Sequence, residues 1–165
     1  MTTATDYFSL LQQDRTLTPD LAPLRRRFYA LSQQWHPDRF PTGDADAQQT
    51  ALEQTSQLNE ALRVLSQPMT RLAHLLALEG HPLPEHAALS PQFMMEMMEL
   101  NELAEEQPEA ARQELNTLLE DWQATLSSLA QQYERGERTD ALYAALQETY
   151  FRKKYLDRVL AAQEL

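Results

Sequence analysis

The chain has 165 residues, 42% of them hydrophobic, so it can bury the core of one medium domain or two small ones. It has no cysteine, which excludes disulfides and thiolate-bound metals, and no apolar stretch approaches the roughly 20 residues that a membrane span needs. The net charge of −11 comes mainly from the second half, because residues 1–80 carry seven basic and nine acidic side chains, whereas residues 81–165 carry seven and sixteen. Nucleic acid is therefore not an expected partner, and a basic protein surface suits the second half.

The composition also predicts the fold class. Only three residues are glycine, and Ala, Leu, Gln and Glu dominate, so we predict an all-α protein. The N-terminus has no basic segment followed by an apolar run, so we expect no secretory signal. Together with the absence of cysteine, this indicates a cytoplasmic protein that is not associated with a membrane.

The first half is predicted to form two short helices and two longer ones. Thr5 is the expected N-cap of the first helix, and Asp20 of the second, whose core stripe is Leu24, Phe28, Leu31 and Trp35. A third helix is predicted over residues 46–67, with inward positions at Ala51, Leu52, Thr55, Leu58, Leu62 and Leu65. A fourth is predicted over residues 69–79, with Gly80 as its C-cap.

A proline-rich stretch separates this half from the next, so we predict one domain over residues 1–80, a linker over 81–90 and a second domain over 91–165. Ser90 and Pro91 begin the second domain as N-cap and first helical residue. Breaks at Pro108 and Gly136 divide the domain into three helices, and Thr139 caps the last one. Short loops between three helices predict an antiparallel three-helix bundle.

The connection between the second and third helices carries His36, Pro37 and Asp38. Pro37 fixes its own φ and disfavours the helical conformation for His36, so the preceding helix ends there. A histidine and a carboxylate are thereby displayed on a rigid tip, with Arg25, Arg26 and Arg27 close behind. The alternative is a simple helix terminator, in which Asp38 caps the next segment and the arginines form a solvated face.

Residues 94–99 contain four of the six methionines. At about 100° per residue, a core stripe is expected at Phe93, Met97, Leu100 and Ala104. Met94 and Met98 point to one side of that stripe, near Glu99, Glu102 and Glu106. Adaptable methionines beside carboxylates are typical of a protein-docking patch, and the alternative is that all of them pack in the core.

Several motifs together resemble known families. His36-Pro37-Asp38 between an arginine-bearing helix and a longer one, with Asp6-Tyr7-Phe8 before them, resembles a J-domain. The later segments that resemble the HscB family, J-type co-chaperones of iron–sulfur cluster assembly, are Pro68 to Leu76, Phe93 to Glu96 and Tyr155 to Arg158. This resemblance implies a J-domain, a helical hairpin with a His-Pro-Asp loop, before a three-helix bundle that binds the scaffold.

The resemblance also implies a function without enzymatic activity, cofactor or metal. Members bind a DnaK-like chaperone of the HscA type through the J-domain, stimulate its ATP hydrolysis, and deliver the scaffold protein IscU. The implied chaperone-binding residues are His36, Pro37, Asp38, Arg25, Arg26 and Arg27. The implied scaffold-binding residues are Met94, Met98, Glu99, Glu102, Glu106 and Tyr155.

Other interpretations remain open at this point. Tyr155 can instead pack against a neighbouring helix, and Phe151 has no support from the resemblance. His74, His81 and His86 do not have the spacing of a metal site. The rival functions are a J-domain co-chaperone with a different client, and a helical adaptor in which His-Pro-Asp is only a turn.

Overall fold

A computed structural model describes residues 4–87 and 89–163, and these residues contain helices and no strand. The helices are α1 (Tyr7–Leu10), α2 (Leu21–Gln34), α3 (Ala45–Ser66), α4 (Pro68–Leu78), α5 (Pro91–Glu106), α6 (Pro108–Glu134) and α7 (Asp140–Gln163), with a 3₁₀ turn at Pro37–Arg39. They fall into two compact units, unit 1 (Met1–Gly80) and unit 2 (His81–Leu165). The all-α prediction is confirmed.

Unit 1 is built around α3, which packs against α1, α2 and α4. The fully buried side chains in its core are mostly leucines, joined by one aromatic ring from α1: Phe8, Leu11, Leu24, Leu58, Leu65, Leu72, Leu75 and Leu76. Buried Arg71 on α4 donates hydrogen bonds to the carbonyl oxygens of Leu17 (3.1 Å) and Leu65 (2.7 Å). One of these carbonyls lies in the loop before α2 and the other near the end of α3. Because the guanidinium bonds to both, it connects α4 to the rest of the unit.

Two details of the sequence prediction for unit 1 are wrong. The N-cap of α1 is Asp6, not Thr5, because the Asp6 carboxylate accepts from the N–H groups of Phe8 (3.0 Å) and Ser9 (3.2 Å). Leu52 points outward, with 53% of its surface exposed. At about 100° per residue it lies about 120° around α3 from the buried Leu58, outside the stripe that faces the core.

Unit 2 is a three-helix arrangement in which α6 packs against both α5 and α7. Its core joins side chains from all three helices, namely Phe93, Met97, Leu100, Ala111, Leu115, Leu156 and Val159. Ser90 caps α5 by accepting from Phe93 N–H (3.2 Å), with Pro91 as the first helical residue, as the sequence predicted. Gly136 takes φ +84° where α6 ends, a conformation that glycine adopts without strain.

The segment that opens unit 2 is held on α7. Gln147 donates to the carbonyl oxygens of His81 (3.0 Å) and Pro82 (2.9 Å), and the His81 ring stacks on Tyr143 with centroids 4.2 Å apart. The first residues of the expected linker therefore belong structurally to the bundle. No helix in the described part of the chain is long and apolar enough to cross a membrane.

Candidate protein-docking sites

The His-Pro-Asp corner, formed by His36, Pro37 and Asp38, has a defined local geometry. His36 is extended (φ −60°, ψ 129°), as expected before a proline, and Pro37 begins the 3₁₀ turn. The backbone N–H of Asp38 donates to His36 Nδ1 at 3.3 Å, so this ring nitrogen acts as an acceptor within the corner. His36 Nδ1 and Asp38 Oδ2 lie 3.7 Å apart, which places the ring and the carboxylate side by side.

Contacts on both sides hold this corner in place. The ring of Trp35, before it, stacks on the ring of Phe40, after it, with an interplanar angle of 11°. The hydroxyl of Thr55 on α3 donates to the carbonyl oxygen of Trp35 at 3.3 Å. Because these contacts close the loop and tie it to α3, the chain has few ways to rearrange at the corner.

The imidazole and the carboxylate of the corner face solvent. The Asp38 side chain is 91% exposed and that of His36 is 59% exposed. A carboxylate on a rigid, exposed turn can form a charge-assisted, bidentate hydrogen bond with a partner's arginine at small entropic cost. The corner is therefore suited to recognition by another protein, whereas a simple helix terminator needs no such exposure.

The three arginines behind the corner do not act as one group. Arg25 and Arg26 are exposed on α2, but Arg27 is half-buried and donates to Gln13 Oε1 at 3.1 Å within unit 1. Tyr29 on α2, which was not among the candidate residues predicted from the sequence, is 63% exposed. It lies one helical turn from both Arg25 and Arg26, because residues three and four apart are neighbours on a helix. Its position four residues after Arg25 and three after Arg26 is the feature of the sequence that places it on the same surface as these arginines.

The second candidate site is the methionine face, formed on α5 by Met94, Met95 and Met98. These side chains are 36%, 62% and 62% exposed, whereas Met97 between them is fully buried. Phe93 (3% exposed) and Leu100 (2%) are also buried, as the sequence predicted. A helix that needs only one apolar face therefore presents a second one to solvent, which is a common property of interaction surfaces.

Carboxylates continue this face toward the end of α5. Met94, Met98, Glu102 and Glu106 follow one another at steps of four, so they form one row along the helix that begins apolar and ends acidic. Glu99 is exposed beside this row. The last turn of α5 contains no basic residue, although the C-terminal end of a helix favours cations. Acidic residues at that position are better explained by a partner than by helix stability.

Tyr155 is half-buried beside the apolar end of the methionine face. Its ring meets Phe93 edge to face, with centroids 6.1 Å apart, so the packing interpretation accounts for part of this side chain. Its remaining surface lines a groove of about 520 Å³ together with Met94, Phe151, Lys154 and Arg158. The two basic residues were missed in the sequence, because only the packing of α7 beside α5 brings them to the methionine face.

His74 and His81 have structural explanations. His74 Nε2 accepts from Tyr7 N–H at 3.1 Å, and its ring stacks on Tyr7. Burial is the main cause that lowers the pKa of His74; the charge of Arg15 lowers it further and that of Asp6 opposes both. His81 stacks on α7, as described above. Among the described residues, no group of three or more His, Asp or Glu side chains is placed to hold a metal ion.

An ion-pair network lies close to His74. Arg15 pairs with Asp6 (3.0 Å) and with Glu79 (3.1 Å), joining the start of α1 to the end of α4. Burial alone would raise the pKa of Asp6, but the hydrogen bond from Ser9 N–H and the Arg15 charge outweigh it and lower the pKa. These groups join the start of α1 to the end of α4 and do not line either candidate site.

Residues 89–163 match the family described as the HSCB C-terminal oligomerisation domain. A co-chaperone protein HscB homolog of Neisseria meningitidis is 36% identical over 58% of this chain and 59% of its own length. The human iron–sulfur cluster co-chaperone protein HscB is 34% identical over 69% of this chain, and the match spans only half (50%) of that protein.

Solved structures extend the similarity to nearly the whole chain. The crystal structure of human co-chaperone protein HscB has a TM-score of 0.78 and 26% identity, covering 97% of this chain and 81% of that one. Chaperone HscB from Vibrio cholerae has a TM-score of 0.72 and 27% identity, covering 97% and 96%. The predicted fold, a J-domain followed by a helical bundle, is thereby confirmed.

Proposed function

We propose that this chain is a co-chaperone of the HscB type in iron–sulfur cluster assembly, with a two-part activity; the support is the match of residues 89–163 to the HSCB C-terminal family and the similarity of nearly the whole fold to solved HscB structures. Unit 1 stimulates ATP hydrolysis by a DnaK-like chaperone of the HscA type. Unit 2 binds an IscU-type scaffold and delivers it to the same chaperone. The protein performs no chemical step itself and acts in the cytoplasm through these two contacts.

The observation that carries this proposal is the exposed carboxylate of Asp38 on a corner held by Thr55 and by the stacked rings of Trp35 and Phe40. A carboxylate that is displayed in one position can compete for an arginine inside the chaperone and shift the conformation of its ATPase domain. Such a pair supplies specificity more than affinity. Exposed Arg25, Arg26 and Tyr29 on α2 add a basic, aromatic surface for docking on an acidic region of the chaperone.

The corner and α2 together define the chaperone-binding surface in this proposal. The corner supplies His36, Pro37 and Asp38, and the helix supplies Arg25 and Arg26 directly. Arg27 contributes through its bond to Gln13, which keeps the middle of α2 close to the loop after α1. Because the arginines are exposed charges, their attraction to the chaperone weakens as salt increases.

The scaffold-binding surface combines four kinds of side chain. Exposed Met94 and Met98 supply apolar area, and Tyr155 supplies an aromatic ring at one edge. On the α5 side lie the carboxylates of Glu99, Glu102 and Glu106, and on the α7 side lie Lys154 and Arg158. Opposite charges at the two ends of an apolar centre allow only one orientation of a partner with the complementary pattern.

The test is a single-turnover ATPase assay with a purified HscA-type chaperone, with and without purified IscU-type scaffold. The intact chain is expected to stimulate hydrolysis at least about tenfold, and more strongly when scaffold is present. Asp38→Asn is expected to abolish stimulation without changing the circular dichroism spectrum, because Asp38 is exposed and its side chain supports no helix. Asp14→Asn, at an exposed position of unit 1, is the matched control and should stimulate normally.

The outcomes separate the rival functions. Normal stimulation by Asp38→Asn would leave the corner as a simple turn and favour a helical adaptor. A different result is that the intact chain stimulates the chaperone but neither binds the scaffold nor responds to it. That result would keep the J-domain function and assign the bundle to a different client.

A further inference from the structure

The exposed methionines of α5 carry thioether sulfurs, which oxidants can modify and which hydrocarbon side chains lack. Met95 and Met98 are each 62% exposed and Met94 is 36% exposed, whereas the neighbouring Met97 is 0% exposed. Met69 on α4 is half-buried. Among the methionines that the structure describes, accessibility is thus concentrated on one face of one helix.

An accessible thioether is a target for peroxide. The sulfur lone pair attacks one oxygen of hydrogen peroxide, the O–O bond breaks, and the departing hydroxide takes the proton and leaves as water. The sulfur loses two electrons to become a sulfoxide, and the peroxide gains two. The chain contains no cysteine, so no thiol within it competes for the oxidant.

We propose that Met94, Met95 and Met98 form an oxidation-sensitive modification site, at which peroxide weakens scaffold docking while the chaperone-stimulating corner stays active; this regulation rests on the proposed function of the methionine face. A sulfoxide is polar, and its oxygen would have to lose water when a partner covers the face. The nearby carboxylates of Glu99 and Glu102 cannot donate a hydrogen bond to that oxygen while they are ionised. Oxidation therefore removes the apolar centre and leaves the charged ends in place.

The modification is also reversible in principle. Methionine sulfoxide reductases return each sulfoxide epimer to the thioether, so the site can report a transient oxidising condition rather than permanent damage. Buried Met97 is expected to stay reduced under mild treatment, which preserves the core of unit 2. The same fold can then release and regain its scaffold without unfolding.

The first experiment maps the reaction. The full chain is treated with dilute hydrogen peroxide, quenched with catalase, digested and analysed by mass spectrometry. Cleavage after Glu96 separates Met94 and Met95 from Met97 and Met98, and fragment spectra resolve each pair. Met95 and Met98 are expected to oxidise at least about tenfold faster than Met97. Equal rates at Met97 and at the exposed positions would overturn the inference.

The second experiment measures function. Oxidised chain is expected to bind purified IscU-type scaffold at least about tenfold more weakly than untreated chain, and reductase treatment should restore the affinity. It should still stimulate the chaperone when scaffold is absent. A variant with Met94→Leu, Met95→Leu and Met98→Leu, compared with its own untreated sample, should lose no affinity after peroxide. Met97→Leu is the matched control, and it should remain peroxide-sensitive.

The binding results test the proposed regulation and the proposed function separately. An oxidised chain that binds scaffold normally, or a triple leucine variant that remains as peroxide-sensitive as the intact chain, would overturn the proposed regulation. An untreated chain that does not bind scaffold at all would overturn the proposed function, and the regulation with it. The order of oxidation among the four methionines of α5 is measured by mass spectrometry, separately from scaffold binding. Failure of the proposed regulation can therefore be distinguished from failure of the proposed function.

Discussion

The two candidate sites of this protein are built in opposite ways. The His-Pro-Asp corner consists of three residues whose backbone is restricted by Pro37, by the bond from Thr55 and by a stacked pair of rings. The methionine face is a regular helix surface whose side chains are flexible and exposed. The corner offers one charged group in one position, whereas the methionine face offers adaptable apolar area with charges at its ends.

This difference fits two kinds of contact. A signal that depends on a single carboxylate requires that the carboxylate be in place before the partner arrives, because ordering it later would reduce the binding free energy. A cargo surface instead gains from area, and flexible methionines can adjust to the shape of the scaffold. Rigidity is therefore expected to matter more for stimulation, and hydrophobic character more for cargo binding.

The largest predicted effect comes from removing that hydrophobic character. Met98→Asp places a charge in the centre of the methionine face, where docking would have to desolvate it, so scaffold affinity is expected to fall by about a hundredfold. Stimulation of the chaperone without scaffold should persist, since Met98 lies in unit 2. Both quantities are measured, by titration calorimetry and by the ATPase assay.

The control for this change is Ala124→Asp, which adds the same charge at an exposed position of α6. It should reduce scaffold affinity by less than about twofold, because exposed charges are screened by salt. If the two variants lose the same affinity, net charge rather than the methionine face would determine scaffold binding, and the contrast between the two sites would fail.

An intermediate effect is predicted for the rigidity of the corner. Thr55→Val keeps the shape of the side chain but removes the 3.3 Å hydrogen bond to the Trp35 carbonyl. That bond is worth about 1 kcal/mol, so subsaturating stimulation is expected to fall about fivefold. The measurement is the single-turnover ATPase rate, with circular dichroism to verify that the helices remain.

Thr50→Val on the same helix is the matched control, since the Thr50 hydroxyl bonds only to Asp46 within its own helix (3.0 Å). It should stimulate like the unmodified chain. If Thr55→Val did the same, the tether to α3 would be irrelevant and the corner would function without being held.

The smallest predicted effect concerns pH and unit 1. Burial lowers the pKa of His74 below its usual 6.5, so the folded state resists protonation of this ring. The stability contributed by the neutral ring is fully present above about pH 6.5 and is lost as the pH falls through the lower folded-state pKa. Between pH 7.5 and 5.5, the intact chain should lose under about 1 kcal/mol more stability than His74→Gln, because the ring is only half-buried.

Urea unfolding followed by tryptophan fluorescence measures this difference for unit 1 alone. The chain has two tryptophans, Trp35 in unit 1 and Trp122 in unit 2, so a Trp122→Phe background leaves Trp35 as the reporter. The glutamine side chain of the His74→Gln variant can still accept from Tyr7 N–H without titrating. Identical pH profiles for the two chains would show that the contact of His74 with Tyr7 does not contribute to the pH dependence.

Much of the fold was predictable because local rules act on neighbouring residues. Asp20, Ser90 and Gly80 act at helix ends as their residue types indicate, and the spacing of α5 correctly separated buried Met97 from exposed Met98. The same rules failed at Thr5, where the neighbouring Asp6 is the better acceptor, and at Leu52, where hydrophobicity was taken for burial. The first error arises where two adjacent candidates compete for one cap, which sequence alone does not rank, whereas the second departs from the helical period, which places Leu52 outside the core stripe.

By itself, then, the sequence determined the helices, most of their ends, the rigid turn at Pro37 and the amphipathic character of α5, because each depends on residues within about two turns of one another. Tertiary structure alone decided which charged groups stand together. It tied the corner to Thr55, engaged Arg27 with Gln13 while Arg26 stayed exposed, and set Lys154 and Arg158 of α7 beside Met94 of α5. Those pairings join residues that are distant along the chain, and only the packing of one helix on another brings them into contact.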